Sequence, residues 1–246
     1  MCKIALIAAA VLFTQRRIIF VKLKCVKYIT QKVYYKLYNI KYLGRSKYST
    51  ILLKMQQFTN ERDCNTKDEF WILEHDPVFT FGLNAKTEHL LSTSHSIPII
   101  YSDRGGQITL HAPGQLIIYT LLDIKRLQLN TRELVMILED SIIEYLAIYH
   151  QIHAISNRDA PGVYIDNKKI ASLGLKIKRN YTYHGISFNI NMDLQPFNFI
   201  NVCGHKGLEV TNLINHITPN KQTYTINSIA HNLLPILITN LYSSSF

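Results

Sequence analysis

Acidic side chains are missing from the first sixty residues: the first Asp or Glu anywhere is Glu61. Across the first fifty residues eleven Lys and Arg, from Lys3 to Lys47, stand unopposed, whereas from residue 51 onward 16 basic residues face 17 acidic ones. The formal net charge of +10 therefore belongs to an N-terminal segment. The near-neutral remainder, with no RNP, KH or zinc-finger signature, argues against a nucleic-acid-binding module. Cysteine is scarce as well. Cys2, Cys25, Cys64 and Cys203 form no CxxC pair, and their wide spacing offers no disulfide framework, which fits a reducing cytoplasm. No metal or bound cofactor is indicated.

A membrane-length apolar run is also lacking. Ile4 to Phe13 resembles the apolar core of a signal peptide but has no convincing small-residue cleavage site, and it falls short of the about 20 residues a spanning helix needs. Residues 1–37 are expected to be a basic extension that is dispensable or a mis-assigned start, ahead of an interfacial or organellar leader. Export and stable membrane association are the least favoured readings. Gly and Pro are few, at 10 and 7, and no low-complexity tract breaks the chain, so its 47% hydrophobic content suits one globular domain over residues 38–246.

From about Leu43 the pattern becomes that of a packed domain. Tyr48, Ile51, Leu52, Met55 and Phe58 recur at helical spacing, and then Phe70–Leu73, a turn at 74–77 and Val78–Phe81 read as strand, turn, strand. Ile97–Tyr101 and Leu116–Leu122 are further strand-like runs, joined by the Gly/Pro-rich loop Arg104–Gln115. Asn130 with Glu133 three residues later predicts a capped helix, continued at helical period through Leu134, Leu138, Ile142, Tyr145 and Tyr149. Val163–Ile165, Lys169–Ile177 and Tyr183–Ile190 read as strands with tight turns at Asp166-Asn167 and Arg179-Asn180. A final helix over Ser228–Leu241 contains Pro235. Strands mixed with segregated helices predict an α+β fold with a mixed sheet.

Three places could carry chemistry. The paired glycines of Asp103-Arg104-Gly105-Gly106-Gln107-Ile108-Thr109-Leu110-His111 would let a backbone approach a ligand closely, or they make an ordinary turn. Strand alternation sends Lys168 and Lys169 to opposite faces, so one is either partly desolvated, and a candidate base, or both are solvated beside a turn. Cys203, flanked by Gly204 and Gly207, is either an inert buried thiol or a nucleophile, with Lys169, Lys206, His184 and His205 as possible partners.

Taken together these segments resemble the lipoate-biosynthetic octanoyltransferases from roughly residue 38 to the C-terminus. The densest agreement lies at Trp71-Ile72-Leu73-Glu74-His75, at Pro77-Val78-Phe79-Thr80, at the 103–109 loop, at Ala160-Pro161-Gly162-Val163-Tyr164, and from Lys169 through Gly207. The resemblance implies the mixed-sheet fold of the biotin and lipoate protein ligases. It also implies that Cys203 accepts octanoate from octanoyl-acyl carrier protein as a thioester, assisted by Lys169, and passes it to a lysine of a lipoyl domain. The implied acceptors are the lipoyl domains of 2-oxoacid dehydrogenase complexes and the glycine cleavage H protein. Substrate contacts are implied for Arg104, Gly105, Gly106, Gln107, Ile108, Thr109, Leu110 and His111, for Ser172, Leu173 and Gly174, and for Gly185, Ile186 and Ser187. Leu110 stands where the family usually has an aromatic residue, and Ala112 where it usually has glycine. Lys176, Lys178 and Arg179 form a basic cluster that either meets an acidic carrier protein or is a solvated strand end. The rival readings are an ATP-dependent ligase on the same fold, which would not need Cys203, and an inactive scaffold that binds the carrier or lipoyl protein.

Overall fold

The structure, a computed structural model, describes residues 37–93, 96–217 and 224–243. The N-terminal extension up to residue 36 lies outside the described residues. In chain order the elements are β1 (Tyr38–Ser46), α1 (Tyr48–Glu61), β2 (Asp68–His75), β3 (Val78–Phe81), β4 (Ile99–Tyr101), β5 (Ile108–His111) and β6 (Gln115–Leu121). There follow α2 (Thr131–His150), β7 (Ile155–Ser156), β8 (Gly162–Ile165), β9 (Lys168–Lys178), β10 (Tyr181–Asn189) and α3 (Ile226–Ser243). Seven strands make a mixed sheet in the order β1-β2-β6-β10-β9-β8-β7, and three make a second sheet, β4-β3-β5.

The large sheet is covered on both faces, and strand alternation sorts its side chains between them. Trp71, Leu73, Ile117 and Tyr119 turn to one face and pack under α1 through Ile51 and Met55. Phe70, Ile72, Leu116, Ile118 and Phe188 turn to the other and pack against α2 and α3. Asn130 caps α2 as expected: its side chain accepts the Glu133 N–H at 3.0 Å while the Glu133 carboxylate accepts the Asn130 N–H at 2.8 Å. A third cluster holds the small sheet against residues 192–202 through Phe79, Phe81, Leu110 and Phe197.

The two predicted hairpins are present, and all four turn residues, Asp166, Asn167, Arg179 and Asn180, have positive φ, as turns matched to the strand twist require. Three features differ from expectation. β1 was not anticipated, because it is an edge strand paired only with β2 and most of its side chains are exposed, so it shows no alternation of apolar and polar residues. The stretch Arg104–Gln115 is not wholly loop: β5 within it pairs with β3. β2 and β3, read as strand, turn, strand, belong to different sheets. Along β10, Ser187 and Asn189 are buried. Among the described residues no helix is long and apolar enough to cross a membrane.

Candidate active site

β9 begins with the two lysines, and alternation separates them. Lys168 turns outward and pairs with Glu209 at 2.6 Å, while Lys169 turns inward and is 1% exposed. The main chain of Lys169 is then strapped to a later segment: its N–H donates to Glu209 O at 2.8 Å and its carbonyl accepts the Thr211 N–H at 3.0 Å. This strap carries the turn Val202–Gly204, a few residues earlier, over the lysine side chain. Lys169 Nζ lies 2.9 Å from Cys203 Sγ.

Both partners sit in unusual local structure. Cys203 holds a positive φ of 54°, a backbone conformation costly for a non-glycine residue and often found where a side chain must be presented. Lys169 lies against Gly162, whose φ is +148°; a Cβ there would stand 2.3 Å from Lys169 Cε and 3.0 Å from Nζ. Lys169 Nζ also lies 5.4 Å from the centre of the Tyr164 ring.

Beside the pair opens a cavity of about 330 Å³. Arg104 to Thr109, His111, Ser172 to Gly174, and Gly185 to Ser187 line it together with Lys169 and Cys203. Leu110 does not: alternation along β5 turns it into the core of the small sheet, where it is fully buried. Ala112 is also buried in that core. Arg104 braces the loop by donating to Thr80 Oγ1, Thr80 O, Gly105 O and Gln107 O, all neutral acceptors. No carboxylate among the described residues pairs with its buried guanidinium, so its positive charge is left to act on the cavity and on Cys203.

One end of the cavity is built from aromatic and imidazole rings. Tyr48 stacks on His111 and His184 at 5.7 and 6.4 Å. His75 Nδ1 donates to Ser46 O, so its Nε2 accepts the Tyr119 hydroxyl at 2.7 Å. Burial pushes the His75 imidazole down to about 4 and drives His111 well below its ordinary value. His184 is likewise lowered by burial, against the opposing pull of Asp103, to which its Nε2–H donates at 2.9 Å. Burial works to raise the Asp103 carboxyl, but hydrogen bonds from His184, Tyr183 and Gln56 outweigh it and hold the group far below the usual range. All three imidazoles are therefore neutral near pH 7, which leaves the Arg104 guanidinium as a buried positive charge at the cavity wall.

Residues 48–235 match the family described as lipoyl protein ligase A/B catalytic domain. An octanoyltransferase of Psychromonas ingrahamii is 56% identical over 173 residues, 70% of this chain and 79% of that protein. One from Vesicomyosocius okutanii is 54% identical over 196 residues, 80% of this chain and 94% of that protein. The chain belongs to the octanoyltransferase family. Among solved structures, a bi-partite lipoate protein ligase from Thermoplasma acidophilum superposes with a TM-score of 0.67 at 13% identity, over 82% of this chain and 83% of that one. A biotin protein ligase from Aquifex aeolicus superposes at 0.53 with 17% identity, over 82% and 70%. The octanoyltransferase thus has the fold of the lipoate and biotin ligases and is an acyltransferase of lipoate biosynthesis.

Sequence reasoning missed several residues at this cavity. Tyr48 and Tyr119 line the cavity from elements read only as core, and Val135 and Thr131 reach it from the start of α2. Glu139 lies on the buried side of α2 with nothing in its helical spacing to mark it. Gly162 falls in a motif that carried the resemblance, yet its fit against Lys169 is a fact of three dimensions. Of the basic cluster, Lys178 and Arg179 are engaged at the end of α1: Lys178 donates to Asn60 Oδ1, and Arg179 to the carbonyls of Thr59 and Asn60.

Proposed function

We propose that this octanoyltransferase takes its acyl group from octanoyl-acyl carrier protein as a thioester on Cys203 and hands it to a lysine of a lipoyl domain. The observation that carries the reading is the 2.9 Å approach of Lys169 Nζ to Cys203 Sγ at the wall of a cavity. In the first step Lys169 takes the thiol proton, Sγ attacks the donor thioester carbonyl, and the carrier's thiolate leaves with that proton. In the second the acceptor amine attacks the acyl-Cys203 carbonyl, loses a proton to Lys169, and expels the Cys203 thiolate, which is reprotonated by the same lysine. Exchange between thioesters is nearly balanced and amide formation is downhill, so no ATP is consumed.

The lining supports an acyl occupant. Ile108, Val135, Leu173, Leu175 and Ile186 face the cavity, and each buried methylene of the chain contributes about 0.8 kcal/mol. Arg104, without a carboxylate partner, favours negative charge on the thiolate and on the tetrahedral oxyanion. The acceptors in this reading are lipoyl domains of 2-oxoacid dehydrogenase complexes and the glycine cleavage H protein, and the reaction takes place in the cytoplasm.

The test is intact-protein mass after mixing the enzyme with octanoyl-acyl carrier protein without ATP, beside Cys203→Ala and Lys169→Ala. A hydroxylamine-labile octanoyl adduct, absent in Cys203→Ala and slow to form in Lys169→Ala, is the expected result. Absence of any adduct, with lipoyl domain modified only when ATP and free octanoate are supplied, would replace the transferase reading with that of a ligase.

A further inference from the structure

The wall that Lys169 leans on is held from outside the cavity. Midway along β8 the pairing with β9 slips: Val163 faces Ala171 while Tyr164 faces Lys169, and the ladder skips Ile170. One residue before this irregularity the Gly162 N–H finds its acceptor in a side chain, donating to Glu139 Oε1 at 2.6 Å. Glu139 reaches it from α2, where it sits on the buried face with Leu138, Ser141 and Ile142 and is 6% exposed.

A buried carboxylate is expensive to desolvate, and among the described residues the hydrogen bond of Glu139 goes to this one peptide N–H. What the bond fixes is the peptide of Gly162, and Gly162 packs so closely on the Lys169 stem that a Cβ there would stand 2.3 Å from Cε. Loosening that peptide gives the lysine room to leave Cys203, and a misplacement of 1 Å at such a pair costs about 100-fold in rate. The Glu139 carboxylate also interacts electrostatically with Lys169, so comparing Glu with Gln separates its charge from its hydrogen bond.

We propose that Glu139 is a positioning residue for Lys169: by holding the Gly162 N–H it fixes the wall that keeps Nζ at hydrogen-bonding distance from Cys203 Sγ. This rests on the reading of Lys169 and Cys203 as base and nucleophile. The device works through a hydrogen-bond acceptor of the right reach, so Gln, which keeps that reach, serves in place of Glu. Asp, one methylene shorter, does not.

The experiment measures the rate of octanoyl adduct formation on Cys203 in the full chain, without ATP, for Glu139→Gln, Glu139→Asp, Lys169→Ala and the double variant Lys169→Ala/Glu139→Asp. Glu139→Gln is expected within about threefold of the parent, since the acceptor is retained and only its charge is lost. Glu139→Asp is expected to be about 10-fold to 100-fold slower. On the Lys169→Ala background Glu139→Asp is expected to add no further loss, because a residue acting through Lys169 has nothing left to position. Parental rates in Glu139→Asp, equal losses in Gln and Asp, or the same Asp penalty without Lys169 would each overturn the proposal. A parental rate in Lys169→Ala would instead remove the base–nucleophile reading on which it stands.

Discussion

Replacing Gly162 by alanine tests the construction of the site most directly. The added Cβ would meet Lys169 Cε at 2.3 Å, Nζ at 3.0 Å and the main-chain oxygen of Ala171 at 2.6 Å. Comfortable carbon contacts lie at about 3.5–4.0 Å, so the lysine stem has to retreat by more than about 1 Å, and the strand oxygen on the other side cannot give cheaply. From a starting separation of 2.9 Å, such a retreat stretches the Nζ–Sγ contact to about 4 Å, the limit of a hydrogen bond to sulfur. In the proposed reaction, acylation of Cys203 by octanoyl-acyl carrier protein should fall about 100-fold. Stability should fall too. A non-glycine residue held at φ +148° costs about 1–3 kcal/mol, and overpacking of a tight contact about as much again. The rate is to be followed by intact mass at a temperature well below the unfolding midpoint, with urea unfolding measured separately. A variant with parental acylation kinetics and an unchanged urea midpoint would refute the claim that Gly162 makes room for Lys169.

Two further outcomes concern the buried charge and the buried imidazoles. Asp68 accepts hydrogen bonds from Arg62 at 2.9 Å, Arg126 at 2.5 Å, the Tyr242 hydroxyl at 2.7 Å and the Asp123 N–H at 2.8 Å, tying α1, β2 and α3 together. Asp68→Ala strands those cations and should cost about 3–5 kcal/mol by urea unfolding, a loss below about 1 kcal/mol being incompatible with this account. The histidine pKa values are depressed in the folded state, His75 to about 4 from an unfolded value near 6.5. Between those values the unfolded chain binds protons that the folded one refuses. The stabilisation is therefore complete above about pH 6.5 and is lost as pH falls toward 4, roughly 3 kcal/mol from His75 alone. A urea midpoint unchanged between pH 7 and pH 5 would contradict the sign.

How far this was legible in the sequence depended on whether the determinant was local. The capping box at Asn130 and Glu133 and the turn pairs Asp166-Asn167 and Arg179-Asn180 act within a few residues, and α2 and both hairpins follow from them. β1 was hidden because an exposed edge strand has no core face to impose alternation, and β5 because it is a four-residue strand inside a glycine-rich stretch. At the site, alternation separated Lys168 from Lys169, but composition left four partners open for Cys203. The structure brings Lys169 to the thiol and occupies His184 with Asp103. The choice between them is made by main-chain bonds from Lys169 to Glu209 and Thr211, which leave no trace in side-chain identity. Leu110 shows the reverse: a residue carried into the site by its neighbours in the motif faces the other way once the strand alternates.

The strap between Lys169 and residues 209–211 measures the reach from Lys169 to Cys203 as a length of chain rather than as a fit of side chains. Because main-chain atoms make both of its bonds, most substitutions at Glu209 or Val210 leave that length untouched. Adding or removing a single residue between Cys203 and Glu209 would not. The thiol would then slide along the strand while every residue of the motif remained in place, giving a chain that reads as an enzyme and cannot act as one.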